Sequence, residues 1–167
     1  MAARVFSKYQ GWFQIPHSAP DFNRIMTQVK IKLLHPDAQL PIRFNETDAC
    51  YDVYAVSKNY IGHNRYEYGL GFSLELPTNT QLDLRSRSSI YKTGLLLSNS
   101  IGTGDEDYRG EYKAIFYHVN TDLPEYNVGD RILQIQLRSR EDVNFVISNE
   151  LNVTNRADGG HGSTGLR

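Results

Sequence analysis

The stretch from Tyr112 to Leu137, YKAIFYHVNTDLPEYNVGDRILQIQL, decides the fold class. Two runs within it, Tyr112–Val119 and Arg131–Leu137, are rich in the apolar and aromatic residues that favour strands. Asn120–Pro124 and Asn127–Asp130 lie between them and carry the Asn, Asp, Gly and Pro residues typical of turns. The stretch therefore predicts two short strands with a turn-rich connection.

The same alternation of strand and turn signals extends on both sides of this stretch. No long segment has the 3.6-residue period of an amphipathic helix, and the only predicted helix is the short segment Ser88–Thr93, with its serines as candidate N-caps. Many short strands at close spacing indicate an all-β sandwich, jelly roll or barrel. The other predicted strands are Val29–Leu33, Tyr51–Ala55, Tyr68–Leu76, Gln81–Arg87, Leu95–Ser98 and Asn144–Ile147.

Composition excludes several classes of protein. The 167 residues suit one domain, and 18 Lys+Arg against 19 Asp+Glu argue against a broad basic surface for nucleic acid. Cys50 is the only cysteine, which rules out an intrachain disulfide and a cysteine-based zinc cluster. No apolar run reaches the roughly 18 residues of a membrane span, and no signal peptide is evident, so we expect an intracellular, cytoplasmic protein without a membrane partner.

The two ends of the chain differ from its middle. Residues 1–27 have scattered aromatic residues, and Pro16 and Pro20 interrupt any regular element, which predicts a flexible N-terminal extension. Residues 28–154 hold the strand pattern. Residues 155–167 are rich in glycine and cannot hold a strand or helix. Such a tail is either a floppy terminus or a phosphate cradle, because Arg156, Ser163 and Thr164 add donors to exposed backbone N–H groups.

Four further segments carry side chains that are suited to ligand binding or catalysis. Thr47–Ala55 is a strand with two carboxylates, and Arg85–Ser89 combines guanidinium and hydroxyl groups that suit an oxyanion, although it also fits a basic edge strand. Gly102–Glu111 has three consecutive carboxylates at positions 105–107, followed by Tyr108 and Arg109, and fits either a general base beside a stacking aromatic or an acidic surface turn. In Gly129–Ile135, Gln134 alternates with apolar neighbours and needs a polar partner.

Together and in this order, these segments and the tail resemble the five motifs of the trimeric dUTP pyrophosphatases (dUTPases). The resemblance covers roughly residues 28–167. The matching segments are Asp48–Ala55, Arg87–Ser89, Gly102–Gly110, Gly129–Gln134, and Arg156 with Gly159–Gly165.

The resemblance implies an all-β fold, an antiparallel jelly-roll-like β barrel with one short helix. It also implies a homotrimer whose active sites lie at subunit interfaces, and hydrolysis of dUTP to dUMP and pyrophosphate by attack of water on the α-phosphate. Mg²⁺ is the implied cofactor, with its hydration shell oriented by Asp52.

The resemblance also implies a role for each matching residue. Asp105 matches the catalytic aspartate that orients the attacking water, and Tyr108 matches the tyrosine under the deoxyribose. Asn99 and the hairpin around Gly102 match the uracil reader. The phosphates are expected to contact Arg87, Ser88, Ser89 and Gln134, and the closing tail supplies Arg156, His161, Gly162, Ser163 and Thr164.

Three residues depart from the family pattern. Cys50 and Gly104 replace a usual glycine and a usual apolar residue, and Gly104 is expected to loosen the hairpin. His161 stands in place of the usual phenylalanine. These departures keep open a non-catalytic or regulatory dUTPase-like module that binds a nucleotide or a protein. A dCTP deaminase is disfavoured, because residues 95–104 contain no glutamate to act as a general base.

Overall fold

The computed structural model describes residues 26–160, and this part of the chain is all-β with a single 3₁₀ helix. The strands are β1 (Lys30–Leu33), β2 (Tyr51–Tyr54), β3 (Ser57–Tyr60), β4 (Arg65–Gly69), β5 (Phe72–Glu75), β6 (Thr80–Ser86), β7 (Leu95–Leu97), β8 (Ile101–Gly104), β9 (Lys113–His118) and β10 (Arg131–Ser139). The 3₁₀ helix spans Ser88–Lys92, between β6 and β7. No helix within residues 26–160 is long and apolar enough to cross a membrane.

The strands form two four-stranded antiparallel sheets and one strand pair. The first sheet has the order β2-β10-β6-β8, the second has the order β3-β4-β9-β7, and β1 pairs with β5. Residues of both large sheets contribute to one hydrophobic core, with Leu84 and Leu133 from the first sheet and Ala114 and Phe116 from the second. The fold prediction of an all-β, jelly-roll-like protein is therefore confirmed.

The core follows from the two-residue period of the strands. In β9, Ala114 and Phe116 are buried while the strand's first residue is exposed, and in β6 Leu82 and Leu84 point to the same core. Complete burial of a side chain such as Phe116 stabilises the fold by about 2 kcal/mol.

One predicted strand, Tyr68–Leu76, is in fact two strands in different sheets. Gly71 has a φ of +70°, a backbone conformation that favours glycine, and a Cβ there would lie 2.8 Å from Cγ2 of Val56. The chain therefore turns at Leu70 and Gly71, inside the segment that the sequence predicts to be one strand.

A second predicted strand, Asn144–Ile147, has no partner within the described chain and forms no regular element. Its apolar side chains are open to solvent, with Phe145 92% and Ile147 98% exposed. Unpaired N–H and C=O groups are costly to bury, so a strand of this kind forms only beside another strand.

Two strands and one cap differ from the sequence predictions. Gly102–Gly104 forms most of β8, although its glycines predict a turn, and the polar β3 has no apolar alternation to predict it. The helix between β6 and β7 is confirmed, but its N-cap is Arg87, which makes no side-chain cap hydrogen bond. The serines therefore do not cap it.

Candidate active site

A polar cleft of about 400 Å³ opens beside Asp52, and we call it the Asp52 cleft. Asp52 lies on β2 directly opposite Gln134 of β10, and Arg87 follows the end of the neighbouring strand β6. The sheet order β2-β10-β6 therefore brings three sequence segments to one place. The cleft is lined by Phe44, Asp48, Ala49, Cys50, Asp52, Arg87, Arg131 and Gln134.

A β-bulge in β10 aims two side chains at one carboxylate. Arg131 and Gln134 stand at an odd spacing, so a regular strand would send them to opposite faces. The register shifts between Arg131 and Leu133, and this extra residue brings the side chains of Arg131 and Gln134 to the same face of the sheet. Arg131 Nη1 donates to Asp52 Oδ2 at 2.9 Å, and Gln134 Nε2 donates to Oδ1 at 3.1 Å.

Arg87 completes the hydrogen bonding of Asp52, which is only 7% exposed. Arg87 Nε donates to Oδ1 at 3.2 Å and Nη2 donates to Oδ2 at 3.4 Å. Arg87 Nη1 donates to the Ser89 hydroxyl oxygen at 3.4 Å and to the carbonyl oxygen of Arg131 at 3.3 Å, and these hydrogen bonds fix its position. Two guanidinium groups thus share one carboxylate, and these three side chains together carry a net charge of +1, which suits an oxyanion.

The acidic residue at the rim of this cleft is held by its own loop. The backbone N–H and the side-chain amide of Asn45 donate to the Asp48 carboxylate, at 2.8 and 3.3 Å. These hydrogen bonds hold the pKa of Asp48 below its usual value, so it stays ionised at neutral pH. Cys50 lies beside it as a free thiol.

A second cleft, of about 420 Å³, lies beside Tyr108 and is called the Tyr108 cleft. Its walls include the β7–β8 hairpin and the start of β9, and none of its lining residues belongs to the Asp52 cleft. It combines apolar side chains with polar groups at the hairpin tip. Its lining includes Leu84, Leu97, Asn99, Gly102, Gly104, Asp105, Tyr108, Tyr112 and Leu133.

The tight hairpin between β7 and β8 fixes Asn99 at this cleft. Ser100 has a φ of +58°, and the N–H of Ile101 donates back to the Asn99 carbonyl oxygen at 2.6 Å. A Cβ on Gly102 would lie 3.1 Å from Nδ2 of Asn99, so the glycine leaves room for the Asn99 side chain.

Asp105 and Tyr108 stand in the turn that follows β8. The N–H of Tyr108 donates to the Asp105 carbonyl oxygen at 3.2 Å, and the Tyr108 hydroxyl donates to the Glu111 carbonyl oxygen at 2.9 Å. Both side chains are exposed, with Tyr108 43% exposed. The turn thus presents a carboxylate and an aromatic ring at the rim of the same cleft.

The space beside Gly104 is filled by Tyr112. A Cβ at position 104 would lie 2.6 Å from Cε1 and 2.7 Å from Oη of the Tyr112 side chain. The Tyr112 ring therefore occupies the volume that an apolar residue 104 would take, and the loosening of the hairpin by Gly104 stays a prediction.

The structure divides the predicted site residues into two groups. Asp52, Arg87 and Gln134 meet in one cleft, and Asn99, Gly102, Asp105 and Tyr108 meet in the other. Three predicted residues lie outside both linings: Ser88 is exposed, Ser89 touches Arg87, and Arg156 donates to the Gly159 carbonyl oxygen at 2.9 Å. His161, Gly162, Ser163 and Thr164 lie outside the described residues.

Sequence reasoning missed Arg131 and Tyr112. Arg131 belongs to a recognised motif but stands three residues before Gln134, and nothing in the sequence marks the bulge that aligns them. The signal for Tyr112 was available, because a glycine in place of an apolar residue at position 104 leaves a volume that some larger residue must fill.

The described residues offer no protein cage for a metal ion. No cluster of three or more His, Cys, Asp or Glu side chains that could hold a metal occurs among residues 26–160. Asp52 is the carboxylate at the centre of its cleft, and its oxygens already accept four hydrogen bonds. This donor set fits an ion such as Mg²⁺ only if water and ligand oxygens complete its shell.

The fold and the two clefts define an all-β protein of the jelly-roll type with an arginine-lined cleft and a separate, partly apolar cleft. Residues 37–165 match the dUTPase family model. The chain is 33% identical to the deoxyuridine 5'-triphosphate nucleotidohydrolase of Helicobacter pylori strain J99, over 83% of this chain and 97% of that protein. It is 34% identical to the Yarrowia lipolytica protein of the same name, over 83% and 89% of the two chains. The chain belongs to the dUTPase family.

Solved structures support the fold. The dUTPase of Staphylococcus bacteriophage 80alpha, in a mutant form with dUpNHpp, superposes with a TM-score of 0.73 at 20% identity, covering 84% of this chain and all of that one (100%). A mutant dUTPase of the S. aureus phage phi11, described with a coordinated structural Mg(II) ion, gives a TM-score of 0.64 at 19% identity over 74% of this chain and 98% of that one.

Proposed function

We propose that the protein hydrolyses dUTP to dUMP and pyrophosphate. The observation that carries the proposal is the division of the matching residues between two clefts, one with two arginine side chains and one lined by a narrow hairpin and an aromatic ring. Paired guanidinium groups suit a phosphate chain, and a hairpin beside a ring suits a base and a sugar. The H. pylori and Y. lipolytica relatives are named as nucleotidohydrolases of deoxyuridine 5'-triphosphate.

The Tyr108 cleft is proposed to bind deoxyuridine. Asn99 and the backbone groups around Gly102 read the uracil edge, and the narrow β7–β8 hairpin excludes a thymine methyl group by its shape. The Tyr108 ring packs under the deoxyribose and leaves no room for a 2'-hydroxyl group. Selection for deoxyuridine therefore depends on shape more than on any single hydrogen bond.

The Asp52 cleft is proposed to bind the phosphate chain of the substrate. Arg87, Ser88 and Ser89 hold the α- and β-phosphates, and Gln134 contacts the chain directly or through water. The tail closes over the γ-phosphate and orders on binding, which a glycine-rich segment can do because it moves easily. Its contacts come from Arg156, His161, Gly162, Ser163 and Thr164.

Asp105 is proposed to orient the attacking water and to accept its proton. The water oxygen forms a bond to the α-phosphorus as the bond to the bridging oxygen of the β-phosphate breaks, and the electron pair leaves with pyrophosphate. Phosphoryl transfer of this kind needs positioning and charge neutralisation more than covalent help. Arg87 and Arg131 provide positive charge on the side of the leaving group.

Mg²⁺ is the proposed cofactor, held by substrate oxygens and water, and it would neutralise charge on the triphosphate. Asp52 would contact its hydration shell through water. All four of the carboxylate's acceptor positions are occupied, so one hydrogen bond must be released. We infer that Gln134 turns from Asp52 Oδ1 to the phosphate chain, which frees one acceptor position of that oxygen, while Arg87 Nε keeps the other.

A homotrimer with shared active sites is the proposed assembly. The two clefts have no lining residue in common, so a site that needs both can take one from each of two copies. The exposed apolar residues of the segment after β10 support this assembly, because a neighbouring copy would bury them. They are Val143, Phe145, Val146, Ile147, Leu151 and Val153. A nucleotide substrate also fits an intracellular, cytoplasmic location.

The test is pyrophosphate release from dUTP, dCTP, dTTP and UTP, with and without Mg²⁺. We expect release from dUTP alone, lost when the metal is chelated. Equal release from dTTP would contradict the proposed role of the hairpin. No release from dUTP, with tight binding of dUpNHpp, would instead indicate a non-catalytic nucleotide-binding module.

A further inference from the structure

Tyr112 forms a rigid wall behind the Tyr108 cleft. Its side chain is only 3% exposed, and its backbone is anchored on both sides. The Tyr112 N–H donates to the Phe72 carbonyl oxygen, and the N–H of Leu70 donates to the Tyr112 carbonyl oxygen, each at 3.0 Å. The ring therefore projects from a fixed piece of backbone into the cleft lining.

Tyr108, in contrast, depends on side-chain contacts for its position. It stands in the turn between β8 and β9, and its hydroxyl is tied to Glu111. A Cβ on Gly110 would lie 2.6 Å from Cζ of Tyr108, so the ring lies close over that glycine. Its other neighbour is the Tyr112 ring, with centroids 5.2 Å apart and planes at 85°. This edge-to-face arrangement is a favourable aromatic contact.

Gly104 makes this contact possible. Even one Cβ at position 104 would meet the Tyr112 ring, so a larger residue there would displace it. The small residue on β8 and the large residue before β9 are therefore complementary, and together they put a second aromatic ring beside Tyr108.

We propose that Tyr112 is a positioning residue that fixes the Tyr108 ring and thereby strengthens selection for deoxyribose over ribose. The inference rests on the proposed function, since it assumes that the sugar packs on Tyr108. The Tyr108 ring excludes a 2'-hydroxyl group by shape only if the ring stays in place, and the contact with Tyr112 holds it there.

The ring of Tyr112, and not its hydroxyl group, carries this role. The hydroxyl oxygen is buried and has no hydrogen-bond partner among residues 26–160. Burial raises the pKa of this group to about 12, so it stays neutral at physiological pH. Phenylalanine at this position keeps the edge-to-face contact and removes only the unpaired polar atom.

The experiment uses the full chain and measures dissociation constants for dUpNHpp and for its ribose counterpart, UpNHpp, by calorimetry. The variants are Tyr112→Leu, Tyr112→Phe and the control Phe116→Leu. Phe116 is fully buried in the same core and lines neither cleft, so its variant loses a ring of similar size without touching Tyr108. The readout is the ratio of the two constants, which a general loss of stability does not change.

Tyr112→Leu is expected to lower the ratio of the UpNHpp constant to the dUpNHpp constant by about three- to tenfold, which means weaker selection for deoxyribose. This range corresponds to the loss of one aromatic contact. Tyr112→Phe and Phe116→Leu should keep the ratio within about twofold. A ratio for Tyr112→Leu within twofold of the controls overturns the inference. If wild-type protein binds neither analogue and releases no pyrophosphate from dUTP, the proposed function fails first, and the two failures are thus distinct.

If Tyr112→Leu does not fold, Gly104→Ala gives a second test. The added methyl group forces the Tyr112 ring to shift, so the ratio should fall as it does for Tyr112→Leu. A folded Gly104→Ala protein with an unchanged ratio overturns the inference.

Discussion

Gln134 lies directly opposite Asp52 across the β2–β10 pair, and its side-chain amide donates to Asp52 Oδ1 at 3.1 Å. The same carboxylate holds Arg87 and Arg131, so it organises every basic group of its cleft. Asp52 therefore has a structural role as well, because without its negative charge the two neighbouring guanidinium groups would repel each other.

Replacing Asp52 with asparagine is therefore expected to cost both stability and substrate affinity. The free energy of unfolding should fall by about 1 to 3 kcal/mol, because half-buried charged donors lose an ionised partner. The KM for dUTP should rise as Arg87 loses its fixed position. Urea unfolding and steady-state kinetics check both effects. Asp48→Asn is the matched control, since Asp48 lines the same cleft but is bonded to Asn45; an equal loss in both variants would contradict the organising role.

Asp105→Asn should abolish turnover and leave nucleotide binding nearly intact. The change removes the proton acceptor and keeps the size of the side chain, and a general base contributes about 100- to 10,000-fold to a rate. The measurements are kcat for dUTP and the dissociation constant of dUpNHpp. Asp107→Asn, an exposed carboxylate in the same turn, is the control and should keep its activity. Retained turnover in Asp105→Asn would refute the assigned role.

Gly71→Ala should destabilise the fold more than Gly62→Ala. Both glycines have positive φ, +70° and +84°, so both substitutions carry the backbone strain of about 1 kcal/mol. A Cβ on Gly71 also meets Val56, His35 and Ala38, whereas nothing lies within 4 Å of a Cβ on Gly62. The difference between the two free energies of unfolding isolates the steric part, and equal losses would mean that the turn after β4 can relax.

The sequence predicted the strands best where they have a two-residue period. β6 and the part of β10 from Leu133 onward alternate apolar and polar residues, and β9 is a run of apolar and aromatic residues with alternating burial. The predicted bounds of all three agree with the structure to within two residues. The split between β4 and β5 was not predictable from the pattern, because residues on both sides of Gly71 are buried. Only the φ of that glycine and its contact with Val56 distinguish a turn from a glycine inside a strand.

For the site, the sequence predicted which segments matter but not how they divide. Asp52, Arg87 and Gln134 are far apart along the chain, and the order β2-β10-β6 that joins them is a property of the sheet. Arg131 depends on a bulge, and Tyr112 depends on the volume left by Gly104. The bulge and the filled volume both depend on tertiary packing, which local sequence propensity does not predict.

Asp83 gives the fold a pH dependence at the acid end. Arg85 Nη2 donates to its carboxylate at 2.7 Å and holds the pKa of Asp83 below its usual value of 3.8. The folded state thus binds the proton less readily than the unfolded state, so the stabilisation is complete above about pH 4 and is lost as the pH falls through the lowered pKa. The free energy of unfolding of wild type minus that of Asp83→Asn should therefore shrink between pH 6 and pH 3. A difference that stays constant over this range would contradict the assignment.

Two inactive variants should restore each other if active sites are shared between subunits. Arg87→Ala damages only the Asp52 cleft and Asp105→Asn damages only the Tyr108 cleft, because the two linings have no residue in common. When equal amounts are unfolded together and refolded, about a quarter of the sites in a random mixed trimer combine two intact clefts. Pyrophosphate release from dUTP should recover to about that fraction of wild type, and each variant refolded alone is the control. If each site draws both clefts from one chain, every site in the mixture keeps one damaged cleft and no activity returns.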